Sequence, residues 1–242
     1  MVTPDGLPFL RPSAAVRRIE AFADACLEFC CAREKPSRST IPLPVPVERW
    51  IEAPLGIQFG VEDLGEYVLG AAAPRIPRIR VSDRITNEGR FRFTCAHELG
   101  HVVLHRRYAE TLSDTDVGYA PRSEFLEWQA DRFAAAFLMP LGPLLKELVE
   151  VTKESGLDLS RCVAELTLPT LESEWLWRKH VLPRLATCFG VSRTALVRRF
   201  SEFRFKDRRA FLLPELSNRL LSPGRRPFLS RFVLVDGFPV RP

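Results

Sequence analysis

Two histidines four residues apart, with a glutamate after the first, stand in His97-Glu98-Leu99-Gly100-His101. They lie inside a stretch whose apolar residues Phe91, Cys95, Leu99, Val102 and Val103 recur at helical spacing. Residues four apart on a helix project within about 40° of each other and about 6 Å along its axis, so both imidazoles can reach one ion. Glu98 falls on the adjoining face, where it can bond a water on that ion rather than the ion itself. Zinc suits such a donor set, because it accepts imidazole and carboxylate in a tetrahedral site that keeps one position open. One zinc per chain is expected. The helix is predicted from an N-cap at Asn87 through Arg107, with Glu88 in its first turn and Arg106 and Arg107 in its last.

An open zinc site needs a third protein ligand, and a second predicted helix, from about Ser123 to Leu138 and stopped by Pro140, offers Glu127. Asp131 sits one turn further on the same face, where its carboxylate can accept the second N–H of a ligand histidine and fix its tautomer. Glu124 shares that face and competes for the ligand position, while Gln129 is uncharged and is read as pointing elsewhere. His105 continues the four-residue series but lies about 12 Å from His97 along a straight axis, which leaves it packing or supporting. An oxyanion formed at the site needs a donor, for which Tyr119, in the polar loop between the helices, and His105 are the candidates. His180 is read as unrelated to zinc.

The segments from Arg92 to His105 and from Glu127 to Pro140 resemble the ImmA/IrrE family of metallo-endopeptidases, and the likeness extends over roughly residues 40 to 205. The second segment is the more specific, since many zinc peptidases share the two-histidine motif but few continue with Glu127-Trp128-Gln129-Ala130-Asp131-Arg132-Phe133-Ala134 and close on Leu138-Met139-Pro140. The family usually has Asn where this chain has Asp131. The resemblance implies an intracellular zinc endopeptidase, several relatives of which cut a helix-turn-helix repressor to switch on stress-response or mobile-element genes. On that basis Glu98 is the catalytic base, and His97, His101 and Glu127 are the metal ligands.

The fold class expected is α+β: a zincin-like metallopeptidase domain with a small sheet and active-site helices, followed by an all-helical helix-turn-helix-like unit. The boundaries predicted are 1–140 for the first, with an N-terminal helix over 12–34 and a Pro-rich loop over 36–46, then 141–205 for the helical unit and 206–242 for a basic tail. Short strands are expected within Gly56–Leu69, and another at Ile76–Val81 whose exposed edge would receive an extended substrate. In the second unit, two helices meet at Gly190, Ser192 caps the later one, and Arg193, Arg198 and Arg199 are candidate phosphate contacts. Direct DNA binding is the lesser reading for this pair, against a packing or partner-docking module or a basic helix face that is simply solvated.

Of 242 residues, 46% are hydrophobic and 27% charged, which excludes general disorder. The net charge of +5 is uneven: eleven Lys/Arg face four Asp/Glu from Arg198 onward, so the basic character belongs to the tail. No charge-free run approaches the roughly 18 residues of a membrane span, and Met1 to Asp5 show no basic-then-apolar leader. No membrane association and a cytoplasmic location are therefore expected, and six cysteines there are fillers rather than disulfides. The expected partner is a protein substrate, a helix-turn-helix repressor or antitoxin. Two rivals follow from the same motifs, the toxin of a toxin–antitoxin pair and a DNA-binding regulator with a vestigial zinc site. A closed structural site would need a fourth protein ligand, and none is well placed.

Overall fold

The computed structural model describes residues 10–14, 16–34, 40–106, 112–113, 121–154, 156, 159–222, 233–235 and 238–240. In chain order the first elements are β1 (Leu10–Pro12), α1 (Arg17–Glu34), α2 (Val47–Glu52), β2 (Gln58–Glu62), β3 (Gly70–Ala73) and β4 (Arg78–Ser82). Next come α3 (Glu88–Leu104), β5 (Leu112–Ser113), α4 (Pro121–Leu138), α5 (Leu141–Glu154), α6 (Leu159–Leu166) and α7 (Leu171–Leu176). The last are α8 (Leu182–Phe189), α9 (Arg193–Ser201), β6 (Phe203–Phe205), α10 (Pro214–Leu221), β7 (Val233–Val235) and β8 (Phe238–Val240). The chain is thus mixed α+β, mostly helical. No helix among the described residues is long and apolar enough to cross a membrane.

Contacts divide it into two units, one of Ala15–Pro140 with Phe189–Val191, the other of Met1–Ala14, Leu141–Cys188 and Ser192–Pro242. In the first unit α3 packs along α4, and α1 covers α4 with Ile19, Ala23, Cys26, Leu27 and Cys30 buried. Trp50 of α2 closes this core, its ring edge-on to Phe137 at 6.1 Å and its indole N–H donating to Glu34 at 3.1 Å. Cys26, Cys30, Cys31, Cys95 and Cys188 are free thiols. Asn87 caps α3, its side-chain oxygen accepting from the Arg90 N–H. The helix ends at Leu104 rather than Arg107, because His105 leaves helical geometry as the C-cap.

The sheet of this unit has the order β2-β4-β3-β5, with β2 parallel to β4 and β3 antiparallel to both its neighbours. That order corrects the expected substrate edge. Residues 78–82 form an inner strand, hydrogen-bonded to β2 on one side and β3 on the other, with Ile79 and Val81 fully buried. Alternation along Arg78-Ile79-Arg80-Val81 reveals which face is buried but not which neighbours pair, and the parallel partner lies about twenty residues earlier. Among the described residues the edges are β2 and the two-residue β5.

In the second unit Trp177, Phe200 and Phe211 form an aromatic core, with Trp177–Phe200 centroids 4.9 Å apart and Phe200–Phe211 5.7 Å. Just ahead of Pro183 the helix opens into a π turn over Trp177–Val181, in which the Leu182 N–H reaches the Trp177 carbonyl. Pro183 has no N–H to continue the regular ladder, so the ladder is loosened where it begins. The unit is not all-helical: β1 pairs antiparallel with β6, and β7 with β8. The pairing of β1 draws residues 10–12 to this unit rather than to the metal-motif helices, and α10 extends it past residue 205. Arg199 is corrected as a phosphate contact, being fully buried with its guanidinium 3.3 Å from Glu202 and over the Phe203 ring. Arg193 and Arg198 are exposed on α9.

Candidate metal centre

At Gly100, between the two motif histidines, α3 packs tightly against α4. A Cβ there would lie 3.1 Å from the Ala130 Cα and 3.2 Å from the Ala130 carbonyl, and backbone cannot step aside as a flexible side chain can. The close approach sets Glu127 of α4 opposite the histidines of α3. His97 Nε2 is 2.9 Å from one Glu127 oxygen, His101 Nε2 is 3.2 Å from the other, and the two ring nitrogens are 3.1 Å apart. All three donor atoms lie within 4.8 Å of one another, the one such group among the described residues.

This donor set fits a metal. Four ligands at about 2.05 Å in a tetrahedron stand about 3.3 Å apart, close to the separations seen here. The protonation pattern agrees: Asp131 Oδ1 is 3.0 Å from His97 Nδ1, and a carboxylate only accepts, so the neutral ring carries its proton on Nδ1 and leaves Nε2 bare. With the proton on Nδ1, the Nε2 lone pair points toward Glu127 at 2.9 Å, where a cation would be shared by both groups. Burial pushes the Glu127 carboxyl up, but the rings of His101 and His97 outweigh it and hold it at about 2, so it is an anion at neutral pH.

Behind the cluster, His101 Nδ1 meets His105 Nδ1 at 2.9 Å, and His105 Nε2 meets Gln129 Oε1 at 3.0 Å. Burial lowers the His105 pKa to about 4, and the ring is neutral at pH 7. Both its nitrogens are engaged away from the donor atoms, which corrects its candidacy as an oxyanion donor and makes it a support for His101. Glu98 is fully buried on α3 beside β3, where a Cβ on Gly70 would lie 2.4 Å from its Oε1. A side chain at position 70 would force that carboxylate to shift from its present place.

Tyr119 lies outside the described residues. Glu124 is exposed and is not in the donor group. His180 belongs to the second unit, its ring tilted against Trp175 with centroids 4.8 Å apart. Three residues that shape the site escape the sequence reading. Gly100 carries a signal, a glycine inside an otherwise helical run. Helical projection from Glu127 turns Gln129 away, but His105, off the helical course as a C-cap, reaches it. Gly70 has no local signal.

A family model described as Peptidase M78, IrrE N-terminal-like domain, matches residues 55–201. Among solved structures, a Mycobacterium tuberculosis transcriptional regulator aligns at 15% identity with a TM-score of 0.43, over 76% of this chain and 47% of that one. The chain thus spans about half the length of that protein. No curated protein gives a significant sequence match.

Proposed function

The chain belongs to the IrrE N-terminal-like family of M78 peptidases, and from that premise we propose that it is a zinc-dependent endopeptidase of the cytoplasm that cuts a helix-turn-helix transcriptional repressor. The observation that carries the peptidase reading is the convergence of His97, His101 and Glu127, with Glu98 following His97 on the same helix. Those three side chains would hold zinc, which would supply Lewis acidity toward the scissile carbonyl and the attacking water. His97 and His101 would offer their Nε2 atoms as ligands, and Glu127 would add the negative charge that a dication calls for. The Glu98 carboxylate takes the proton of the water and passes it to the leaving amine. The repressor as substrate rests on family likeness, as does a helix-turn-helix role for α8 and α9. The α8–α9 pair serves as a packing or partner-docking module on that likeness; exposed Arg193 and Arg198 are the residues available for phosphates.

Two expected outcomes arise from the supporting residues. Asp131→Ala removes the acceptor on His97 Nδ1 and weakens zinc affinity about 10- to 100-fold in a chelator competition, with little change in thermal midpoint. Gly70→Ala displaces the Glu98 carboxylate while sparing the donor atoms. An error near 1 Å at a reacting group costs about 100-fold, so kcat falls by that order and zinc content stays at wild-type level.

The proposal is tested by incubating the zinc-loaded chain with helix-turn-helix repressors from its own genome and mapping fragments by mass spectrometry. Cleavage that stops with chelator and returns with zinc is expected. A repressor that remains intact with zinc present overturns the substrate, and toxicity of the chain expressed alone would favour the toxin reading.

A further inference from the structure

We infer that His105 and Gln129 are positioning residues that hold His101 in the tautomer whose Nε2 is free for a metal. The inference rests on the reading of His97, His101 and Glu127 as ligands. A neutral imidazole carries one proton, and a ligating nitrogen must be bare, so the His101 proton sits on Nδ1. That atom is 2.9 Å from His105 Nδ1, which must then accept, leaving the His105 proton on Nε2. His105 Nε2 in turn lies 3.0 Å from Gln129 Oε1, a carbonyl oxygen that only accepts. Each donor along this row meets an acceptor, and the row ends on a group that cannot push a proton back.

His101 and His105 are 2% and 1% exposed, so bulk water has little access to take the place of either partner. The two ligand histidines are thereby oriented by different devices. His97 uses one carboxylate, Asp131, in direct contact. His101 uses a second histidine and an amide, which fix the proton without adding a negative charge behind the ring. The amide is also the reversible end of the row: a group at 129 that offers only N–H would place the His105 proton on Nδ1 and drive the His101 proton onto Nε2, against the metal.

The test compares wild type, Gln129→Glu, which keeps an acceptor, and Gln129→Met, which keeps the size but removes it. Zinc affinity is read by chelator competition, and the His101 tautomer in the metal-free protein by ring-nitrogen NMR shifts. The expected result is that Gln129→Met binds zinc about 10- to 100-fold more weakly and loses the Nδ1-protonated preference. Gln129→Glu keeps that preference and, with an acceptor still behind His105, binds zinc within about threefold of wild type.

A Gln129→Met chain with wild-type affinity and an unchanged tautomer overturns the inference, as does a Gln129→Glu chain as weak as Gln129→Met. A wild-type chain that takes up no zinc overturns the ligand reading itself, and the inference with it.

Discussion

Glu127→Ala is expected to leave the chain without zinc after dialysis against a mild chelator, as are His97→Ala and His101→Ala. Zinc binding to protein sites is worth on the order of 10 kcal/mol, and shared among three ligands this is about 3 kcal/mol each, or a loss of roughly 100-fold or more in affinity. Loss of Glu127 carries an added penalty, because it is the one anion in the donor group and is held ionised there. Glu124→Ala keeps its zinc, since that side chain is exposed and outside the group. Metal analysis of the four purified variants checks both halves. Zinc retained in Glu127→Ala and lost in Glu124→Ala would move the third ligand by one helical turn.

Glu98→Gln separates holding the metal from using it. The amide fills the same space on α3 beside Gly70, so the fold and about one zinc per chain are kept, while the carboxylate that accepts the water proton is gone. General-base catalysis contributes about 100- to 10,000-fold, and cleavage falls by at least the lower figure. The measurement is a time course of substrate cleavage at matched zinc content. A variant with full zinc and wild-type turnover would remove Glu98 from the mechanism.

The two motif helices and their facing residues are legible in the sequence because helical geometry is local: a spacing of four fixes a shared face whatever surrounds it. Where partners come from distant sequence, that logic fails. Strand β4 reads as an edge until β2 is seen to dock along it, and β1 is a three-residue strand whose partner lies almost two hundred residues away. Arg198 and Arg199 are neighbours of one charge, but only the fold shows that Arg199 turns into the core toward Glu202 while Arg198 faces water. The supports of the site follow the same division. Asp131 is reached by helical spacing from Glu127, whereas Gln129 depends on where His105 goes once α3 has ended.

The most direct test of the metal centre is a crystal of the zinc-loaded chain measured on both sides of the zinc absorption edge. One anomalous peak per chain, bonded by His97 Nε2, His101 Nε2 and a Glu127 oxygen with Glu98 alongside but not coordinated, is the result predicted. No peak between α3 and α4, or a peak closed by a fourth protein ligand in place of the open position, would contradict a peptidase centre at these residues.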